Sequence, residues 1–447
     1  MHSPCSSVYL SLTDSAFLEV DMEREQERVL SSGVKLYSYK NPSLNGFYIS
    51  IFLRAGSMYE SERDAGITHF LEHIAIRNVN ARMGGTLYEL LDKYGIEFNA
   101  STYSEMVHFY VSGAKANFAV GAEIISKILS PIVLSLDEIR TECDRIKAEI
   151  RENDERGSLV NFTSNIVHAQ TSLARSITGS ASSVSKMTRT RLENYRKSVF
   201  TRDNVFLYVT GSFTDSDLDT LSELISAADI GVGERHENIA PVSQGFFHRE
   251  PRVFVKNADF TMVRFTFDLD MTRMSVAESD LLYDILLGGY SSRFFIEMSE
   301  RAGLFYDLSG ASERYRNIGT LSFYYEIKPS LLYTAVEKTL EILRSFVKNP
   351  PSEAECMKAG YVDNAYMLYD DMRELNFTMA YDNHILNAGY SSVEERRAAY
   401  STVTPERIAE ISDMVFKPEN LTLTLKGKNS KIDKARLEKI IRDFANE

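Results

Sequence analysis

The sequence predicts an α+β protein built from two related halves. Three segments of the first half align in order with three of the second half: 88–100 with 296–308, 107–111 with 321–325, and 199–211 with 415–427. The offset between matched segments grows by only a few residues along the chain, as short insertions would produce. Three matches in the same order favour a duplicated domain over chance similarity.

Each half mixes strand and helix patterns. Segments 47–53 and 107–112 have the alternation expected of strands. Segments 116–129 and 332–346 carry apolar residues at i, i+3 and i+4, which predicts helices. The charged segment 137–155 has isoleucines on one side, and this pattern is typical of an amphipathic helix.

The stretch 230–245 has the glycine and polar content of a linker, and we place the domain boundary near residue 240. The predicted domains are therefore 25–235 and 236–447, preceded by a tail at 1–24. The tail lacks a basic region followed by an apolar core, and its acidic residues argue against a transit peptide. We expect it to be short and disordered.

Composition narrows the class of protein. The net charge of -13 disfavours nucleic acid as a partner. The sequence contains no run of 18 apolar residues, so we do not expect a membrane span. Three cysteines without a CxxC pair suit a reducing compartment, so we expect a cytoplasmic protein, although so few cysteines also fit an exported one. Nucleotide-binding glycine motifs are missing from the sequence.

The strongest chemical signal is the motif His69-Phe70-Leu71-Glu72-His73. On a helix, residues i and i+4 lie on one face, so both imidazoles can reach one metal ion, and Glu72 lies on the same face. The alternative is an amphipathic helix with surface His and Glu. The apolar residues around the motif instead predict a buried helix. Burying its His and Glu side chains without partners would cost several kcal/mol of folding free energy.

A catalytic zinc site needs three protein ligands and one open position. The third ligand must come from another segment of the first half. The predicted helix at 137–155 offers Glu142, Glu149, Glu152 and Glu155. Glu142 and Glu149 are two turns apart on one helix face and could act together.

At this point the sequence resembles the pitrilysin family of zinc peptidases with an inverted motif, which includes the mitochondrial processing peptidase. Segment 66–73 resembles the family's G-x-x-H-F-L-E-H, and 142–149 resembles its E-R-x-x-I-x-x-E. Segment 95–102 resembles G-x-x-x-N-A-x-T, and 287–306 resembles the second-half signature L-G-G-x-x-S-S-R-L-F … G-L-x-Y. The matches span nearly the whole chain.

The resemblance implies two homologous α/β-roll domains, each a mostly antiparallel sheet with helices packed on one face, of which the second is inactive. It implies one Zn²⁺ per chain and peptide hydrolysis. In the implied site the zinc ligands are His69, His73 and Glu149, and Glu72 is the catalytic base. Tyr306 donates a hydrogen bond to the substrate or the oxyanion, and Glu142 or Glu152 orients a ligand histidine. The substrate-binding edge strand contains Asn99, Ala100, Ser101 and Thr102.

The sequence also departs from the family. Ser299 stands where the family has an arginine that binds substrate with the tyrosine matched by Tyr306. In the second half, Asp280, Tyr283 and Asp284 stand at the positions of the motif residues, so no second metal site is expected.

Family chains of this length pair to enclose a chamber. We therefore expect a dimer, and the missing arginine suggests a heterodimer with a related subunit. Two alternatives stay open: a non-catalytic peptide-binding or scaffold subunit of the same family, and a different zinc hydrolase on this fold.

Overall fold

The structure, a computed structural model, describes residues 24–155, 158–288, 290–304, 308–348 and 353–444. Within these residues the chain forms two β-sheets, one in each half, with helices around them. A search of the described helices finds none with the length and apolar character needed to cross a membrane.

The described residues of the first half form six strands and eight α-helices. The strands are β1 (Gln26–Val29), β2 (Lys35–Lys40), β3 (Gly46–Leu53), β4 (Glu97–Thr102), β5 (Val107–Ala114) and β6 (Val205–Gly211). The helices are α1 (Ile67–Arg82), α2 (Leu87–Tyr94), α3 (Phe118–Ser126), α4 (Leu136–Glu155), α5 (Leu159–Val167), α6 (Ala181–Val184), α7 (Arg189–Val199) and α8 (Asp215–Ser226).

The described residues of the second half add five strands and seven helices. The strands are β7 (Val253–Asn257), β8 (Met262–Asp270), β9 (Leu308–Arg314), β10 (Ile318–Glu326) and β11 (Leu421–Gly427). The helices are α9 (Val276–Leu287), α10 (Leu332–Lys348), α11 (Glu353–Asp363), α12 (Met372–Ala380), α13 (Val393–Ser401), α14 (Pro405–Val415) and α15 (Lys434–Asp443).

The two sheets share one topology. The first has the order β1-β2-β6-β3-β5-β4 and the second β7-β11-β8-β10-β9, so the orders coincide once β1 is set aside. In each sheet one pair is parallel, β2 with β6 and β7 with β11, and the other pairs are antiparallel. The predicted duplication and the mostly antiparallel α+β fold are confirmed.

The segments predicted from periodicity form the expected elements. Segments 47–53 and 107–112 lie in β3 and β5, and segment 137–155 forms α4. The segment predicted as one helix at 116–129 is divided, because a 3₁₀ turn stands at each end of α3. Tightened turns of this kind are common at helix ends.

Each sheet has one face covered by helices of its own half. In the first sheet this face carries Phe47, Ile49 and Ile51, which alternate along β3 and pack into a core shared with α1, α3 and α4. The second sheet builds the matching core with α9, α10, α14 and α15. Within each half, helices therefore pack on one face of the sheet, as predicted.

The opposite faces are covered by the other half of the chain. Tyr37, Phe52 and Tyr208 on the first sheet pack against α12 and its neighbours, which belong to the second half. In return, α5 of the first half lies on the second sheet, where the hydroxyls of Thr163 and Thr424 are 2.6 Å apart. Each half thus completes the burial of the other half's sheet.

The predicted domain boundaries stay a prediction. The boundary near residue 240 falls in 227–252, between α8 and β7, where the chain has neither a helix nor a laddered strand. The predicted tail at 1–24 lies outside the described residues except for Arg24.

Candidate metal centre

The helix that carries the motif has a firmly held start. The Glu60 carboxylate accepts the backbone N–H groups of Gly66 and Thr68, each at 2.8 Å, and so satisfies donors that a helix start leaves unpaired. Gly66 adopts a left-handed φ of 87°. A side chain there would meet the carbonyl oxygen of Thr178 at 2.6 Å, so this position requires glycine.

Helix α1 is buried, as its apolar pattern predicts. Phe70, Leu71 and Ile74 face the core of the first half, while His69 and Glu72 are each 8% exposed. These two polar side chains are therefore largely buried. Two buried ionisable groups on one apolar helix need partners, and α4 and β4 supply them.

His69, His73 and Glu149 come together in space. Their donor atoms all lie within 4.8 Å of one another, and they are the one such group found among the described residues. The Nε2 atoms of His69 and His73 lie 3.6 Å from Oε1 and Oε2 of Glu149, respectively. Two ligands of a tetrahedral zinc ion lie roughly 3.3 Å apart, so this donor set fits zinc.

The protonation states of the two histidines differ. Burial, with the nearby His73, lowers the pKa of His69 to about 4, so its ring is neutral at physiological pH. Burial also lowers the pKa of His73, but the hydrogen bond that its Nδ1 donates to Glu142 and the surrounding carboxylates outweigh burial and raise that pKa above its ordinary value. His69 is therefore ready to bind a metal ion, while the protonated form of His73, which the carboxylates favour, must give up a proton before it can bind.

Glu142 lies behind His73. Its Oε2 is 3.4 Å from Nδ1 of His73, and its Oε1 accepts hydrogen bonds from Arg77 and Arg145. Burial raises the pKa of Glu142, but the hydrogen bonds from His73 and Arg77 and the nearby arginine charges lower it by more. The net pKa is below its ordinary value, so the carboxylate is ionised. Glu142 is therefore in contact with His73 and placed to orient its ring, whereas Glu152 is exposed.

The motif glutamate has a different environment. Burial raises the pKa of Glu72, and the hydroxyl of Thr102 donates a hydrogen bond to its Oε2 at 2.9 Å. A buried carboxylate beside a candidate metal cluster, with its pKa raised by burial, is suited to accept a proton.

Strand β4 is the last strand of its sheet, and among the described residues no strand pairs with its outer edge, so segment 99–102 lies in an edge strand as predicted. The Asn99 side chain accepts the N–H of Ala100 at 2.9 Å, and Ser101 and Thr102 complete the strand. Whether substrate binds here stays a prediction.

A cavity of about 770 Å³ adjoins the cluster. Glu72 and His73 lie at one side of it, and its other walls include Arg77, Tyr88 and Asn99. Arg77 was not among the site residues predicted from the sequence. Its position four residues after His73 places it on the same helix face, and this spacing could have identified it.

The second half replaces the metal cluster with a hydrogen-bonded network. Asp280 pairs with Arg314 and accepts a hydrogen bond from Tyr400. Asp284 accepts one from Tyr361 at 2.5 Å. These aspartates stand where the first half has its motif histidines, and their carboxylates are bonded to Arg314, Tyr400 and Tyr361.

Two sequence predictions concern the region after α9. Tyr306 lies outside the described residues. Ser299 lies in a π-helical turn at Phe295–Arg301, in which Arg301 pairs with Glu297 one turn earlier.

A duplicated α+β fold whose first half carries H-x-x-E-H on a buried helix, with a glutamate from a second helix against both histidines, defines the class of inverted-motif metallopeptidases. Residues 36–181 match the family description Insulinase (Peptidase family M16), and residues 186–359 match Peptidase M16 inactive domain. The chain belongs to peptidase family M16, the pitrilysin family.

Individual relatives and solved structures agree with this family assignment. The chain is 24% identical over 333 residues to an uncharacterized zinc protease of Mycobacterium tuberculosis, covering 73% of this chain and 76% of that protein. Among solved structures, a protease from Helicobacter pylori superposes with a TM-score of 0.77 at 14% identity, covering 91% of this chain and 100% of the other. A chain of complex III2 from Candida albicans gives 0.77 at 15% identity, covering 93% and 99%. At such identities the structures show the shared fold.

Proposed function

We propose that the protein is a zinc-dependent endopeptidase. The observation that carries this proposal is the position of Glu72 on the same helix as His69 and His73, whose Nε2 atoms both face Glu149. The name zinc protease given to relatives supports the choice of metal.

In this proposal His69, His73 and Glu149 hold one zinc ion per chain. Bound there, zinc would supply Lewis acidity, which polarises a peptide carbonyl and makes water more acidic. Glu142 keeps the Nδ1 atom of His73 engaged, so that its Nε2 stays directed at Glu149.

Glu72 acts as the general base. Its free carboxylate oxygen takes a proton from the attacking water and later delivers it to the nitrogen of the leaving amine. The burial of Glu72 raises its pKa, so this carboxylate accepts a proton more readily than an exposed one would.

The substrate would be a peptide in extended form. Its main chain would pair with the free edge of β4 along Asn99, Ala100 and Ser101, which binds shape more than side-chain identity. The Asn99 side chain, which now accepts the Ala100 N–H, would have to release that donor. Tyr306 would donate a hydrogen bond to the substrate or to the developing oxyanion.

We further propose that the active form is a dimer that encloses the substrate, with a related subunit as the second member. Ser299 motivates the heterodimer because it leaves this chain without the family arginine. A cytoplasmic location is part of the same proposal and depends on the sparse cysteines.

A non-catalytic scaffold subunit is the second candidate. The likeness in fold to a chain of complex III2 favours it. Against it, the chain keeps His69, His73 and Glu149 in one cluster, with Glu72 on the helix of the two histidines, and a scaffold does not need this arrangement. Loss of catalysis would relax the requirement for all four.

The test is hydrolysis of a mixed peptide library by the zinc-loaded chain, with products identified by mass spectrometry. Glu72→Gln is the matched control, because it keeps the shape of the side chain and removes the base. Cleavage by the wild type alone supports the peptidase. If the wild type binds one zinc and cleaves nothing, the experiment is repeated with a candidate partner subunit, and continued inactivity favours the scaffold.

A further inference from the structure

The base in the proposed mechanism is held by one side chain. Thr102 donates its hydroxyl to Oε2 of Glu72 at 2.9 Å. In the described part of the chain no other hydrogen bond reaches the Glu72 carboxylate. A glutamate side chain has several rotamers of similar energy, so this bond selects the one used.

Thr102 comes from a different element than the base. It is the last residue of β4, where it stands opposite Val107 of β5. Phe98 and Ala100, which alternate with it along the strand, pack against the core that contains α1. Thr102 therefore shares the strand face that is directed at the motif helix, and its hydroxyl is already engaged.

We propose that Thr102 is a positioning residue, which orients Glu72 and links it to the strand that receives the peptide. This inference rests on the proposed function, and it revises the sequence-based assignment of Thr102 as a substrate contact. A peptide paired with the β4 edge would restrict the motion of the strand. Because Thr102 is hydrogen-bonded to Glu72, peptide binding to β4 would also restrict the Glu72 carboxylate, which must contact the attacking water.

The experiment compares Thr102→Val and Thr102→Ser with the wild type, all loaded with zinc. Valine keeps the volume and removes the hydroxyl, whereas serine restores it. Thr220→Val is the matched control, because the Thr220 hydroxyl is exposed on α8 and bonds to the carbonyl of Ser216 in its own helix. The readouts are kcat and KM on a peptide identified from the library, zinc content, and crystal structures of the zinc-loaded proteins.

We expect Thr102→Val to lower kcat ten- to a hundredfold, a part of what a general base contributes, with KM and zinc content within twofold. Thr102→Ser should recover most of the loss, and the valine variant should show Glu72 displaced. A rise in KM at unchanged kcat would overturn the proposal, because it would make Thr102 a substrate contact.

The crystal structures separate this inference from the proposed function. If the wild type shows no hydrolysis, the peptidase proposal fails, but the position of the Glu72 carboxylate still decides about Thr102. A carboxylate that stays in place in Thr102→Val overturns the positioning role. A displaced carboxylate supports that role even in an inactive protein.

Discussion

The Glu142 carboxylate lies 3.4 Å from Nδ1 of His73, and the opposite nitrogen of that ring faces Glu149 at 3.6 Å. One imidazole is therefore held between two glutamates from the same helix, α4. Glu142 is itself held by Arg77 from α1 and Arg145 from α4. The orientation of a candidate ligand thus depends on a side chain that would never touch the metal.

We predict that Glu142→Gln lowers zinc affinity by ten- to a hundredfold, the usual effect of removing such a partner. Glutamine keeps the size but loses the charge that His73, Arg77 and Arg145 share. Competition with a fluorescent chelator at pH 7.5 measures the change. Asp144→Asn is the control, because Asp144 is exposed on the same helix and pairs with Lys147. A larger loss in Glu152→Gln would mean that Glu152 orients the ligand.

Zinc binding should release about one proton at pH 6. The pKa of His69 is lowered to about 4, so this ring is already neutral, whereas the pKa of His73 is raised above 6.5 and its ring carries a proton. Affinity should therefore rise with pH until the pKa of His73 is passed, and then level off. Calorimetric titrations in two buffers with different ionisation enthalpies count the protons. Release of two protons would show that His69 is also charged.

The start of the metal helix gives a prediction about stability. Gly66→Ala should lower the free energy of unfolding by about 2–4 kcal/mol, since alanine disfavours the positive φ and its Cβ meets the backbone at Thr178 and Gly179. Urea denaturation of the zinc-free protein measures it. Gly360→Ala is the matched control: Gly360 lies within α11 with open space around it, and alanine there should stabilise by about 0.5–1 kcal/mol. Equal effects would contradict the argument.

Local spacing was enough to predict part of this site. His69, Glu72 and His73 are close in sequence on one helix, so the 3.6-residue period fixes their relative positions. The choice between Glu142 and Glu152 was open, because both lie on α4 and the packing of that helix on α1 decides which one meets His73. The contact from Thr102 to Glu72 joins residues 30 positions apart and depends on where β4 lies against α1.

The duplication could be predicted from sequence because aligned segments such as 199–211 and 415–427 repeat their residue pattern. The mutual covering of the sheets could not. Tyr37 and Tyr208 alternate with core residues as on any sheet with two buried faces, and nothing local states that α12 covers them. Such contacts between the halves are determined by the complementarity of whole surfaces.

Glu105, between β4 and β5, provides a pH-dependent term at the contact between the halves. Burial raises the pKa of Glu105 to about 7, while the hydroxyl of Tyr381 from the second half donates to its carboxylate at 2.8 Å. In the unfolded chain this glutamate titrates near 4.3. Between these two values the folded state holds a proton that the unfolded state has lost, so this group destabilises the fold as pH rises through that window.

We therefore predict that Glu105→Gln changes the free energy of unfolding differently at different pH. The gain over the wild type should be up to about 3 kcal/mol larger at pH 8 than at pH 4.5. Glutamine keeps an oxygen that accepts the Tyr381 hydroxyl and removes the ionisation. Urea unfolding of the zinc-free protein at pH 4.5, 5.5, 6.5 and 8 measures the difference. Tyr381→Phe serves as the partner variant, since it removes the hydrogen bond and leaves the buried carboxyl. Parallel pH profiles for Glu105→Gln and the wild type would show that Glu105 titrates normally in the folded protein.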